Sequence, residues 1–584
     1  MAETPTFLAT LPSWAARLAA EIRAKQANAF VLHGVPADLV PVRGPQGLRF
    51  RPLDAFLAED LFGGWPSVVS YNRAEGLAFS TPDARNHFFE RLKAYDLVHG
   101  TRFGEALPRD AANCFALLDG YFKACAAAQP ARPVALLLPF AETLGPSGDA
   151  SSRTGEDRAV LVYLRKWSQD PTLLAKNIVF VLVAEGLSEL DPKLVRSHAT
   201  RELEIKRPDE TDRREYLEAV RGAEWFAERS ELGAAELARL TAGMTRVQLG
   251  QILDGIDGGA ASNAKLTREM VRTIKKEVIE TEGLGLLEYV EPRFGLDMVA
   301  GMPAVKARLS RAARAIARGN ASAVPMGYLI CGPVGSAKTF LVECFVRELG
   351  FPCVKLKNFR SMWVGETEAN LERILKILSS LTPVGVVIDE ADAALGNREG
   401  GGDSGVSARV FAQIAAFMGD TKNRGKILWF LITCRPDLLP IDLKRQGRAE
   451  EHVPLFYPES AAEYDELFQV MVKKLAMTTK VGKISEVAAE EKLLGLSGSD
   501  LEAVLVRATL EAEAADSTEV TAAHLAQAIA DFIPPANGLE RELQTLVSVL
   551  ESTSRELLPP RFRDLDRGVI QARVEEIKLA LRLR

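Results

Sequence analysis

Tyr328-Leu329-Ile330-Cys331-Gly332-Pro333-Val334-Gly335-Ser336-Ala337-Lys338-Thr339 reads as a buried strand, a glycine-bearing loop and the start of a helix. Loops of this kind turn successive backbone N–H groups toward phosphates and place a helix N-terminus behind them; a Lys reaches the β/γ oxygens and a hydroxyl meets Mg²⁺. Lys338 and Thr339 fill those last two roles, and Gly332, Pro333, Val334, Gly335, Ser336, Ala337 and Phe340 complete the nucleotide-binding run. The pattern asks for Gly immediately before the Lys. Ala337 stands there instead, at a cost of roughly 1 kcal/mol if the position needs a positive φ.

The acidic partner of such a loop belongs on a second buried strand. Val384-Gly385-Val386-Val387-Ile388 is a continuous apolar run of parallel-sheet character that ends in Asp389-Glu390. Asp389 is expected to share a metal shell with Thr339, and Glu390 to polarise a water for attack on the γ-phosphate. Two solvated acids at a strand end are the bland alternative, and the loop upstream argues against it.

With further motifs in order, residues 291 to 536 resemble an ATPase module of the AAA family. Leu296-Asp297-Met298-Val299-Ala300-Gly301 resembles the entry segment at the adenine, with Val299 and Ala300 as binding residues. Asp442-Leu443-Lys444-Arg445-Gln446-Gly447-Arg448 resembles the arginine-finger segment, whose Arg445 and Arg448 would reach the site of a neighbouring subunit. Gly495-Leu496-Ser497-Gly498-Ser499-Asp500-Leu501 resembles the start of the lid helix, placing Gly498 and Ser499 at the nucleotide. The resemblance implies ATP and Mg²⁺ as ligands, a homo-oligomeric, hexameric ring and a protein substrate. Trp363-Val364-Gly365 resembles the aromatic-hydrophobic-glycine pore loop of protein-threading members, and Gly400 to Gly405 is expected to be a second channel loop. One departure bears on chemistry: the strand Ile427 to Thr433 should end in a water-orienting Asn, and Cys434, a weak donor and acceptor, stands there. Ala337 and Cys434 together predict slow turnover.

The 584 residues leave room for a second module. Asn28 to Gly34 reads as a strand and turn with no Lys-Thr pair after it. Pro133 to Leu138 and Asn177 to Leu182 are further buried strands, and Leu190 to Arg196 parallels the arginine approach. The fold class expected is α/β, with two tandem AAA-type modules, each a parallel-sheet P-loop core with a small helical lid, and a helical C-terminal tail. The expected boundaries are a degenerate α/β domain over 1–206, its lid over 207–262, a connecting helix over 263–290, the active large subdomain over 291–457, its lid over 458–536 and the tail over 537–584. This plan is similar to AAA proteins of cyanobacterial and plastid genomes whose first module is degenerate.

Six cysteines lack metal-ligand spacing, pointing to reduced thiols in a cytoplasmic protein without a zinc site. No apolar run reaches the ~18 residues of a membrane span, and the N-terminus lacks a signal-peptide charge pattern. A net charge of −6 argues against long nucleic acid as the partner. Ile570, Val574, Ile577 and Leu581 form one helical stripe, expected to dock on the lid. The function expected is an ATP-dependent ring ATPase that remodels or threads a protein substrate. The alternatives are an ATP-gated assembly scaffold or chaperone with little hydrolysis and, in third place, a nucleic-acid motor.

Overall fold

A computed structural model of the chain describes residues 10–44, 47–100, 102–103, 107–148, 153–258, 265–357, 367–395, 404–535 and 537–582. The chain divides into two compact units, residues 1–275 with 368–373 and residues 276–367 with 374–584. The first contains β1 (Ala29–Gly34), β2 (Val40–Gly44), β3 (Gly47–Arg51), β4 (Ser67–Asn72), β5 (Gly76–Phe79), β6 (Val134–Leu138), β7 (Ile178–Val183) and β8 (Thr200–Ile205). Six of these form a sheet in the order β5-β4-β6-β7-β1-β8, parallel except for β5 against β4, and β2 and β3 form a separate hairpin.

The second unit contains β9 (Leu287–Tyr289), β10 (Gly327–Cys331), β11 (Cys353–Leu356), β12 (Val384–Ile388), β13 (Ile427–Thr433) and β14 (Glu451–Pro454). Their order is β14-β10-β13-β12-β11-β9, parallel except for β9 against β11. With the hairpin and the antiparallel edge strands set aside, each sheet runs fifth, first, fourth, third, second in chain order. The shared order places the turn after the first strand at the point where connections diverge to either side, the usual crevice of an open α/β sheet. The edge strands differ in origin: β5 follows its partner β4, whereas β9 enters ahead of the whole second sheet.

The central strands form because their sequences are apolar on both faces, as strands covered by helices on each side must be. Every residue of β10, β12 and β13 is buried. Tyr328 of β10 stacks on Phe430 of β13 at 5.7 Å between centroids, with Phe345 edge-on to both. In the first unit Trp167 stacks between Phe115 and Phe180 and donates its indole N–H to Asp119 at 2.9 Å.

Both first strands leave the sheet through the same tight turn. Gly34 has φ +114, and a Cβ there would stand 2.3 Å from the Ile205 carbonyl oxygen; Gly332 has φ +153, and a Cβ would stand 2.4 Å from that of Leu455. Only glycine fits either position. Beyond it the units diverge. In the second, the loop Pro333 to Ala337 leads into helix Lys338–Leu349. In the first, the loop delivers Asp38, whose carboxylate accepts from the backbone N–H groups of Arg246 and Val247 at 2.7 and 3.2 Å and from the Arg246 guanidinium at 3.1 Å. Helix Arg246–Gly258 therefore has its N-terminus satisfied by the chain's own anion.

The C-terminal stripe docks differently from the expectation. Ile570, Val574 and Ile577 are buried with Leu543, Leu546, Val547 and Phe562, so helix Arg567–Arg582 packs on the tail's own helix Gly538–Glu551, not on the helices of residues 458–536. Those helices close their own cluster around Tyr464, Phe468, Leu501 and Leu505. Two amphipathic helices separated by a short connection satisfy each other's stripes locally.

Asp38 and Arg246 are both buried, and without Asp38 the guanidinium keeps only half-exposed Asp212, at 3.4 Å, as a charged partner, so Asp38→Ala should destabilise the first unit by roughly 3 kcal/mol. Urea denaturation of the full chain measures the loss, and ATP-dependent protection through Lys338 should persist.

Candidate functional site

Ala337 is the N-cap of helix Lys338–Leu349 at φ +62, ψ 30, so the position does require the left-handed conformation and the methyl group strains it by roughly 1 kcal/mol. Lys338 is buried, and its ammonium donates to the carbonyls of Gly332 and Pro333 at 3.0 and 2.9 Å. The Ser336 hydroxyl is buried without a partner. A cation held in the concavity of a loop beside an orphaned hydroxyl suits an anionic phosphate group. Val334 donates its N–H to the Gln544 side-chain oxygen at 2.9 Å, and its carbonyl accepts from the Tyr457 hydroxyl.

Helix Gly498–Ala514 starts against the same loop. Ser497 and Asp500 form a reciprocal capping box, and the Gly498 N–H donates to the Gly335 carbonyl at 3.1 Å, with Ser499 exposed at the next position. Val299 is buried and Ala300 half-buried after the turn Leu296–Met298, where the Val299 carbonyl accepts from Lys306 at 2.9 Å. Phe340 turns away from the loop toward Phe294, with the Lys474 ammonium 5.3 Å from its ring centroid. A separate cavity of about 600 Å³, lined by Tyr457, Gly495, Ile529, Arg541 and Thr545, includes none of Lys338, Thr339, Asp389 and Glu390.

Strand β12 brings Asp389 to the loop: the Thr339 hydroxyl donates to its carboxylate at 3.3 Å. These two oxygen groups fit the ligand preference of Mg²⁺. Lys355 of β11 donates to the same Asp389 oxygen at 2.8 Å, a contact the sequence reading missed. A Lys in a short strand reads as a solvated residue; its signal lay in the parallel pairing of β11 with β12, which sets Lys355 opposite Val387, two residues before Asp389. Glu390 is exposed and has φ +48, a strained value for a non-glycine residue, and donates its N–H to Asp389 at 3.0 Å. Strand β13 ends nearby. Thr433 donates to Asp392 at 2.6 Å, Cys434 is half-buried, and Arg435 pairs in fork fashion with Asp437 at 2.9 Å for both contacts.

The two arginines of the expected finger segment differ. The Arg445 side chain is 60% exposed, whereas that of Arg448 is 11% exposed and donates to the Asp442 carbonyl at 2.7 Å. Trp363, Val364, Gly365 and Gly400 to Asp403 lie outside the described residues, and Ser404 and Gly405 open helix Ser404–Met418.

Behind the arginines, His452 is buried with Nδ1 2.9 Å from the Glu551 carbonyl and Nε2 3.1 and 3.0 Å from the carbonyls of Lys444 and Ala449. Burial opposes its charged form, but the carboxylate and carbonyl of Glu551 outweigh burial and raise its pKa above 6.5. Burial likewise opposes the Glu551 carboxylate, and bonds from His452 and Lys444 outweigh it and hold its pKa below the ordinary value. The His452 contribution is complete below its unfolded pKa of about 6.5 and is lost as pH rises through the raised folded value. Melting temperature should therefore fall as pH rises from about 6.5 through that raised folded value, and His452→Gln should flatten that limb. Thermal melts across the range measure both.

Comparison with known proteins agrees with this arrangement. Residues 328–457 match the ATPase family associated with various cellular activities (AAA), residues 4–206 the N-terminal Rossmann-like domain of AAA+ chaperones, and residues 211–283 the second helical domain of AAA+ chaperones. The cell division cycle protein 48 homolog of Archaeoglobus fulgidus is 28% identical over 406 residues, 62% of this chain and 54% of that protein. The peroxisomal ATPase PEX6 of Penicillium chrysogenum is 30% identical over 33% of this chain and 14% of its own length. The ATP-dependent zinc metalloprotease FtsH of Pelobacter propionicus is 29% identical over 35% of this chain and 33% of its own. The chain thus spans about half or less of these relatives. Two sheets of one strand order, the glycine loop joined to Asp389 and the three matched domains make this chain a member of the AAA ATPase family.

Proposed function

We propose that the chain is an Mg²⁺-dependent ATP hydrolase that works as a hexameric ring in the cytoplasm and remodels protein clients by threading them through its pore. The observation that carries the reading is the convergence of Lys338, Thr339 and Asp389 on one glycine loop. Lys338 exchanges the loop carbonyls for phosphate oxygens, while Ser336 and the loop's N–H groups complete the cradle. Mg²⁺, when bound there, would supply positive charge to offset that of the phosphates. Thr339 and Asp389 hold it, and Lys355 fixes the orientation of the Asp389 carboxylate. Glu390 accepts a proton from the attacking water, Cys434 contributes weak orientation of that water, and Arg445 and Arg448 stabilise phosphate charge in the adjoining subunit. The names of the relatives support the ATPase part of this reading, and a client comes from the pore-loop resemblance of Trp363, Val364 and Gly365.

Glu390→Gln should retain ATP-dependent thermal stabilisation and lose hydrolysis by about 10²-fold or more. Phosphate release by the unmodified chain should also rise steeply with protein concentration as rings supply the trans arginines. Strained Ala337 and the thiol at Cys434 favour a second reading, an ATP-gated scaffold with vestigial turnover. Equal rates for the unmodified chain and Glu390→Gln would decide for it.

Trp363→Ala should abolish processing of an unfolded test protein while the ATP-dependent melting shift survives. A fall in unfolding free energy of roughly 3–5 kcal/mol would instead assign Trp363 to a packed core.

A further inference from the structure

Helix Gly538–Glu551 lies beyond the residues matched to any family, yet it touches several parts of the candidate site. Gln544, Ser548 and Glu551 are four and three residues apart and so share one face of the helix. At one end of that face the Gln544 amide oxygen takes the N–H of Val334, inside the glycine loop, at 2.9 Å. In the middle, Ser548 is fully buried and meets the Cys331 thiol at the tip of β10. At the other end the Glu551 carboxylate accepts from Lys444 at 2.9 Å and lies 3.4 Å from His452 Nδ1.

Those last contacts clamp the arginine segment at both ends. His452 Nε2 reaches the carbonyls of Lys444 and Ala449, which bracket Arg445 and Arg448, and Glu551 fixes the imidazole through Nδ1 and the Lys444 ammonium directly. From Gln544 to Glu551 the helix rises about 10 Å. An adjoining face of the helix is seated on Phe562, Ile570 and Val574 through Leu543, Leu546 and Val547.

We propose that this helix is a strut through which the occupancy of a subunit's own glycine loop sets the position of the arginine segment it presents to the next subunit, with Glu551 and Gln544 as positioning residues. The proposal rests on the reading that Arg445 and Arg448 act in trans. A displacement of Val334 on phosphate binding moves the Gln544 end of a rigid helix whose far end holds Lys444 and His452. The phosphate loop and the arginines belong to different active sites in a ring, so the strut would couple successive sites.

Mixed rings test it. A Glu390→Gln donor supplies arginines but cannot hydrolyse, and an Arg445→Ala/Arg448→Ala recipient keeps its own site; mixing the two should restore phosphate release. Glu551→Gln added to the donor should cut the restored rate about fivefold or more, and the same change in the recipient should alter it by less than about twofold. Gln544→Leu, which leaves both ion pairs intact, should show the same donor-side asymmetry and carries the test if Glu551→Gln does not fold. Binding of a fluorescent ATP analogue to each donor checks that its own site is intact. Equal losses from either side, or no loss from the donor, overturn the strut. A parent mixture with no restored activity overturns the trans-arginine reading, and the strut with it.

Discussion

The seating of the glycine turn on the fifth strand constrains both units, because the carbonyl of Ile205 or Leu455 occupies the space where any side chain at Gly34 or Gly332 would stand. That contact fixes where the chain leaves the first strand, and hence which groups face the crevice where connections to neighbouring strands diverge. In the second unit the loop after the turn ends in a helix whose first residues are Lys338 and Thr339. In the first it runs into a hairpin, Val40–Gly44 with Gly47–Arg51. The backbone turn is common to both units, and the chemistry placed after it is not.

The difference shows in how each unit satisfies the helix that starts beside the turn. Helix Gly498–Ala514 is capped by Ser497, and its first N–H contacts the Gly335 carbonyl, leaving the loop's own concavity for Lys338 and the orphaned Ser336 hydroxyl. Helix Arg246–Gly258 receives the Asp38 carboxylate, an internal acceptor held by two N–H groups and a guanidinium. A helix N-terminus attracts negative charge whatever its source, and here a side chain supplies it. The first unit therefore reads as a core tied to its own helical region, without the cation and hydroxyl that make the second a candidate site.

The second unit in turn stores strain where its chemistry is proposed. Ala337 and Glu390 both hold positive φ without being glycine, each adjacent to a residue of the Lys338–Thr339–Asp389 constellation. Such conformations persist only where surrounding contacts over-determine them. Here those contacts are the helix beginning at Lys338, the Asp389 bond to the Glu390 N–H, and the Lys355 ion pair that holds the other Asp389 oxygen.

Sequence by itself determined the central buried strands and which residues stand at their tips. β10, β12 and β13 are unbroken apolar runs, and the loop, Asp389-Glu390 and Cys434 sit at their ends because a parallel strand presents its tip to the crevice. β5, β9 and β11, of three or four residues each, passed unnoticed because such short strands carry no continuous signal, and six-residue β4 because Ser67, Ser70 and Asn72 interrupt its apolar run. The tertiary structure alone decided the pairings across elements: Lys355 on Asp389, Asp38 on Arg246, and the tail helix on the glycine loop. It also moved the C-terminal stripe from the expected lid to the tail's own helix. Each pairing joins residues distant in sequence through sheet order or helix packing, and local pattern carries no information about which distant partner satisfies a charge, a stripe or a free N–H.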